Sequence, residues 1–145
     1  MTNCCCKKPT AEQAKIIEEM LAAPYPVTVS SIAGRLGVTD LEAAELLPEV
    51  NCTFVKGDIT ERFTEIWAEL ASWEKITLFI EHEGSIFEIQ GQLHEGKIAQ
   101  GYYNILAKSA TIGGHMKYDA FSAVAFREGK VHCRPSQVLG LIHPF

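Results

Sequence analysis

The segment from Ile76 to Phe126 constrains the fold most, because its apolar and polar residues alternate in short runs that are separated by glycines. A period of two residues is typical of β-strands. The pattern predicts strands over residues 76–81, 85–90, 100–106, 115–117 and 121–127. Short turns such as Glu83-Gly84, Glu95-Gly96 and Glu128-Gly129 favour antiparallel hairpins over parallel crossovers. We therefore predict an antiparallel sheet built as a meander.

Two further strands, over residues 130–133 and 137–142, would extend this sheet towards the C-terminus. Pro135 and Pro144 would restrict them to edge positions or to the ends of the sheet, because proline has no amide hydrogen for a neighbouring strand.

The residues before Trp73 have the spacing of helices. Capping boxes predict helices that start after Thr10 and Thr39, and prolines end each of them. Further helices are predicted over 31–36 and 58–73, with a short extended connector over 51–55. An apolar stripe on the last helix, including Phe63 and Trp67, predicts that it packs on the sheet.

These patterns predict an α+β fold, in which N-terminal helices pack on an antiparallel sheet. We expect a flexible cysteine-rich tail over 1–9, a helical part over 10–73 and the sheet over 74–145. A chain of 145 residues with 47% hydrophobic content can bury its own core. One structural domain is therefore the expectation.

Charge and cysteine content limit the classes of function. The net charge is −5, and residues 1–75 carry twelve acidic against seven basic side chains, which disfavours a polyanionic partner. Five cysteines, of which Cys4, Cys5 and Cys6 are consecutive, do not form an even disulfide framework. We expect a reduced tail on a cytoplasmic protein, with no secretory signal and no membrane insertion.

The segment from Ile32 to Thr39 fits the pattern of a helix-turn-helix, which raises the alternative of a transcriptional regulator. Its candidate recognition helix displays Asp40, Glu42 and Glu45 and no basic residue. Repulsion from phosphates would oppose docking on DNA. We therefore expect a packing or partner-binding helical module and no nucleic acid.

The sequence does not contain a phosphate-binding glycine loop, a nucleophile elbow or the two-histidine helix motif of zinc proteases. Catalysis is therefore unsupported. Five histidines remain, at positions 82, 94, 115, 132 and 143. His115 follows two glycines in a strand-rich and aromatic-rich region, and an imidazole there could ligate a metal or a porphyrin iron.

Three ordered motifs carry a resemblance to a known family. They are Gly101-Tyr102-Tyr103-Asn104-Ile105, Ile112-Gly113-Gly114-His115-Met116-Lys117 and Ala123-Val124-Ala125-Phe126. Together they resemble the core signature of the HutX/ChuX family of intracellular haem carriers. Leu46-Leu47-Pro48, the 63–73 helix and the 76–91 segment agree with it, so that the resemblance covers roughly residues 25–130.

The resemblance implies a non-catalytic, cytosolic protein that binds haem and carries or stores it for haem utilisation and iron acquisition. It further implies a homodimer formed through the sheet and a haem-receiving partner protein. The resemblance implies that His115 takes the place of the histidine that takes part in binding haem iron. The alternative is a strand histidine that only forms hydrogen bonds. Tyr102, Tyr103 and Lys117 are further candidates for haem contact, although neighbouring tyrosines on a strand often divide into one core and one surface residue. A haem-degrading enzyme is the main alternative function.

Two features depart from the family pattern. A second haem-linked histidine is expected at the end of the first strand, but Glu81 occupies that place and His82 follows one residue later. A one-residue shift moves a strand side chain to the opposite face, so His82 becomes a ligand only if a bulge or the Glu83-Gly84 turn re-aims it. The sheet is also shorter after Arg127 than in the family, so that either the dimer is completed differently or a surface remains open for a partner chain.

Overall fold

The computed structural model describes residues 7–106, 108, 111–131 and 134–142, with the backbone alone from residue 128 onwards. The described residues form four α-helices, which are α1 (Ala11–Leu21), α2 (Val29–Leu36), α3 (Asp40–Leu46) and α4 (Ile59–Ala71). They also form eight strands, which are β1 (Cys52–Phe54), β2 (Ile76–His82), β3 (Ser85–Gly91), β4 (Lys97–Ala99), β5 (Tyr102–Ile105), β6 (Gly114–Met116), β7 (Ala123–Val131) and β8 (Arg134–Ile142). A short 3₁₀ turn, Tyr118–Ala120, precedes β7.

Three helices begin at threonine capping boxes. The side chains of Thr10, Thr28 and Thr39 each accept a hydrogen bond from the backbone amide three residues later, and the side chain at that third position bonds back to the threonine amide. These reciprocal bonds satisfy amides that a helix start leaves without partners. The sequence placed the start of α2 two residues late, because Ser31 stands where a capping box usually has Glu or Gln.

The chain divides into two compact units, and the first takes its described residues from Met1–Ile59 and Ala120–Phe145. It contains α1, α2, α3 and a sheet in the order β1-β7-β8, with both pairings antiparallel. Its core joins helix residues such as Ile32 and Ala43 to Cys52, Ala123 and Ala125 of the sheet. The predicted packing of N-terminal helices on an antiparallel sheet is therefore confirmed within this unit.

The second unit takes its residues from Thr60–Asp119. It contains most of α4, the hairpin β2-β3 and a sheet in the order β4-β5-β6. Phe63 lies at its centre, with ring centroids 5.3 Å from Tyr103 and 5.9 Å from Trp67. The indole nitrogen of Trp67 donates to the carbonyl of His94 at 2.9 Å. Phe63 and Trp67 are thus core residues that pack on the sheet, as the stripe on α4 predicts.

The sheet itself differs from the predicted meander. All described pairings are antiparallel, but the strands form three separate groups. The predicted turn at Glu128-Gly129 is wrong, because β7 continues through both residues, which pair with Gln137 and Ser136 of β8. A favourable long pairing has overridden the local turn preference of Glu-Gly. Strand β1 lies within the extended connector predicted over 51–55, and strand β4 was not predicted.

Several predictions about the two ends of the chain concern residues that the structure does not describe, and they stay predictions. Cys4, Cys5 and Cys6 of the predicted tail lie outside the described residues, as do His132, Cys133, His143 and Pro144. Pro135 lies on β8, at one edge of its sheet, which agrees with its predicted edge position. The division at residue 73 and the single-domain organisation stay predictions. Among the described residues, no helix is long and apolar enough to cross a membrane.

Two glycine substitutions should change stability in opposite directions. A Cβ added at Gly96 would lie 2.3 Å from the carbonyl oxygen of Asn104, a backbone atom that cannot move away alone. We expect Gly96→Ala to lower the free energy of unfolding by about 2 kcal/mol. Gly34 is exposed on α2, and an added Cβ would have nothing within 4 Å. Gly34→Ala should therefore raise the free energy of unfolding by up to about 1 kcal/mol. Urea denaturation of both variants measures the two changes in the free energy of unfolding. Changes of the same sign would contradict the prediction.

Candidate functional site

The register of the sheet β4-β5-β6 places three polar side chains in one row. Lys97 pairs with Asn104, and Asn104 pairs with His115, so these residues share one face. Tyr102 lies two residues before Asn104 on the same strand and therefore belongs to this face too. Lys117 follows the end of β6, two residues after His115. We call this set, Lys97, Tyr102, Asn104, His115 and Lys117, the outer face.

His115 is exposed, and its contacts hold the ring in place. Its Nδ1 lies 2.6 Å from Oδ1 of Asn104. The Tyr102 ring meets the imidazole edge-on, with centroids 6.4 Å apart and an interplanar angle of 77°. The imidazole is therefore oriented while one side of the residue stays open to solvent.

Gly114, directly before His115, leaves the backbone open on this sheet. Its φ angle is +149°, a conformation that residues with a side chain rarely adopt. A Cβ at this position would have nothing within 4 Å. The backbone beside the imidazole therefore carries no side chain and has open space next to it.

Positive charge lies at one end of the outer face. The Nζ of Lys117 forms an ion pair with the carboxylate of Asp119. This hydrogen bond is the main cause that raises the pKa of Lys117, and the same contact lowers the pKa of Asp119. The phenol of Tyr102 also raises the pKa of Lys117, so the lysine stays charged beside the tyrosine.

The two neighbouring tyrosines point to opposite faces. Tyr102 is 44% exposed on the outer face, whereas Tyr103 is 1% exposed and packs against Phe63 and Trp67. The Tyr103 hydroxyl accepts a hydrogen bond of 2.7 Å from the amide of Gly96. A ligand on the outer face cannot reach Tyr103, which instead supports the sheet from behind.

His82 does not share the outer face. It ends β2, opposite Ser85, and all seven pairs of this hairpin follow in register without a bulge. The bulge that would re-aim the side chain towards the predicted ligand position is therefore absent from the described hairpin. His82 is exposed on the same hairpin face as Ile80 and Phe87, and among the described residues no hydrogen bond or ring contact joins it to His115.

Two other basic residues, Lys108 and Arg127, were also considered from the sequence as partners for propionates, and they differ in position. Lys108 is exposed in the second unit. Arg127 is buried in the first unit, where its guanidinium donates to the carbonyl of Val27 and where burial lowers its pKa. Arg127 thus serves the core of that unit, and not a surface ligand.

Sequence reasoning missed Asn104 and Lys97. Asn104 stood in the quoted Gly-Tyr-Tyr-Asn-Ile motif, and its distance of two residues from Tyr102 placed it on the same strand face. Its contact with His115 depends on the register between β5 and β6, which the sequence alone does not give.

The fold and the outer face define an α+β protein that presents one oriented imidazole from an antiparallel sheet. Comparison with known families is consistent with this class. The family model described as "Haem utilisation ChuX/HutX" matches residues 55–141. The chain belongs to this family.

Among proteins of known function, the chain is similar to the intracellular heme transport protein HutX of Vibrio cholerae serotype O1. The two are 28% identical over 124 residues, which cover 86% of this chain and 63% of that protein. The chain therefore spans less than two thirds of the length of this relative.

Solved structures support the fold. A protein from Erwinia carotovora is 26% identical, with a TM-score of 0.74 over 88% of this chain and 77% of that one. The heme binding protein ChuX is 24% identical, with a TM-score of 0.68 over 88% of this chain and 76% of that one. The α+β fold class is thus confirmed.

Proposed function

We propose that this protein binds haem on the outer face and carries or stores it within the cell, without catalysis. The observation that carries the proposal is the exposed imidazole of His115, which is oriented by Asn104 and lies beside the open backbone of Gly114. Membership of the ChuX/HutX family and the name of the Vibrio cholerae relative support it.

The residues of the outer face fit a haem as cargo. A porphyrin supplies four nitrogens to its iron, so one histidine is sufficient as a protein ligand. Tyr102 offers a half-exposed aromatic ring next to that histidine. Lys97 and Lys117 are exposed cations that can pair with propionates, and Lys117 would then exchange its ion pair with Asp119 for one of them. Bound haem would supply the iron that His115 ligates.

We further propose that the protein is a cytoplasmic homodimer that delivers haem to a receiving protein. The hairpin β2-β3 pairs with no other strand among the described residues, and its exposed Ile80 and Phe87 share one face. A two-stranded hairpin is marginally stable alone, and a second copy of the chain would cover this face.

Sedimentation equilibrium tests the proposed dimer and should give twice the mass of the chain. A monomer at all concentrations would refute the dimer.

Titration of ferric haem into the purified protein tests the proposed function. We expect a saturable shift of the Soret band, because coordination by an imidazole changes the electronic state of the iron. A spectrum that stays identical to that of haem in buffer would contradict haem binding.

The same sample distinguishes the alternative functions. Breakdown of bound haem on addition of a chemical reductant alone would favour a haem-degrading enzyme. A salt-dependent gel shift with specific DNA would favour a transcriptional regulator. We expect neither outcome, because α3 carries Asp40, Glu42 and Glu45 and no basic residue, and Lys7 already forms ion pairs with Glu42 and Glu45.

A further inference from the structure

We propose that Asn104 is a positioning residue, whose side-chain amide fixes the tautomer of His115 so that Nε2 carries the lone pair offered to a ligand. The geometry of the apo protein carries this inference. Only its extension to haem iron rests on the proposed function.

The orientation of the Asn104 amide is determined by its surroundings. Its Nδ2 lies 3.1 Å from the carbonyl oxygens of Lys97 and Ala99, and 3.0 Å from that of Tyr102. Carbonyl oxygens only accept hydrogen bonds, so they require the amide nitrogen on this side. A flipped amide would place Oδ1 against three acceptors, which is unfavourable. Since two N–H groups meet three carbonyls, one hydrogen is shared.

The orientation of the amide determines the tautomer of His115. Oδ1 of Asn104 points at Nδ1 of His115, and an amide oxygen has no hydrogen to donate. At 2.6 Å, Nδ1 must therefore carry the hydrogen. A neutral imidazole has one such hydrogen, so its Nε2 has a lone pair and can bind a metal. Histidine in water prefers the opposite tautomer, with the hydrogen on Nε2.

This arrangement is the one that metal-binding histidines require. Such histidines almost always donate their other ring N–H to an acceptor, which orients the ring and makes the ligating nitrogen more basic. Here the acceptor is an asparagine that is itself fixed by β4 and β5. Tyr102 limits rotation of the imidazole through its edge contact.

The positioning of His115 is thereby linked to the β4-β5 hairpin. The three carbonyls that hold Asn104 lie on both sides of the tight turn Gln100-Gly101, whose φ angles are +54° and +78°. If the hairpin opens, Asn104 loses the bonds that orient its amide. The tautomer of His115 should then return to the preference of free histidine.

Nitrogen NMR of the apo protein tests the inference without haem. In ¹⁵N-labelled protein in mildly alkaline buffer, where imidazoles are neutral, long-range ¹H–¹⁵N spectra distinguish the two tautomers. His115 is identified by the signal that disappears in His115→Gln. We expect the Nδ1–H tautomer in the wild type. We expect mainly Nε2–H in Asn104→Leu, which has the same branching at Cγ and no acceptor.

An Nε2–H tautomer in the wild type would overturn the proposal, as would an Nδ1–H tautomer that persists in Asn104→Leu. If Asn104→Leu does not fold, the wild-type spectrum decides alone.

Haem titration separates this inference from the proposed function. We expect Asn104→Leu to bind ferric haem about tenfold more weakly or worse than the wild type. Equal affinity in the wild type and Asn104→Leu would remove the positioning role and leave the carrier function intact. No haem binding by a wild type that shows the Nδ1–H tautomer would remove the carrier function and leave the positioning role intact.

Discussion

Replacement of His115 by alanine should weaken the binding of ferric haem about 100-fold or more. Loss of a residue that only supports a metal ligand costs 10- to 100-fold in metal affinity, so loss of the proposed ligand itself should cost at least the upper value. The side chain is exposed, and Asn104 is its hydrogen-bond partner, so the fold should tolerate the change. The Soret shift of the wild type should be largely lost in His115→Ala.

His82→Ala is the matched control for this experiment. His82 is also an exposed strand histidine of the second unit, but it lies on the hairpin β2-β3 and not on the sheet β4-β5-β6 that forms the outer face. We expect its haem spectrum and affinity to equal those of the wild type. A Soret shift that His82→Ala diminishes would make His82 a second ligand, and an unchanged spectrum of His115→Ala would refute the assignment of His115.

Phe63→Ala should lower the free energy of unfolding by about 4 kcal/mol, the largest effect on stability that we expect. Phe63 is 1% exposed and its ring contacts those of Trp67, Tyr103 and Tyr118. Removal of the ring takes apolar area out of the core and leaves a cavity among three aromatic residues. Urea denaturation followed by tryptophan fluorescence reports the loss, since Trp67 stacks on Phe63.

Tyr25→Ala provides the comparison, because Tyr25 is an aromatic residue that is 62% exposed. Its loss should change the free energy of unfolding by less than about 0.5 kcal/mol. Similar losses in Phe63→Ala and Tyr25→Ala would mean that the aromatic cluster is not the core of the second unit.

Local chemistry explains why much of the fold could be predicted. The capping boxes at Thr10 and Thr39 involve residues three apart, so the sequence shows both partners at once. The hairpin of β2 and β3 was predicted because alternation and a two-residue turn are also local features. The division of the strands into three sheets could not be predicted, because β1 pairs with β7 across most of the chain.

The candidate site, like the fold, could be predicted where it depends on residues close in sequence. The Gly-Gly-His segment indicated His115, and strand alternation indicated that Tyr102 and Tyr103 face opposite sides. Which tyrosine is buried depends on Phe63 and Trp67, which come from another element. The role of Asn104 was missed because its partner lies eleven residues away on the next strand, and only the register brings the two together.

The first unit is built from both ends of the chain, and this affects the order in which the protein can form. Strand β1 is complete at Phe54, but its partner β7 begins at Ala123. All strands of the second unit, in contrast, have their partners by Met116. During synthesis on a ribosome, the sheet of the first unit must therefore wait for β7, while the segment that bears His115 already has its full set of described pairings.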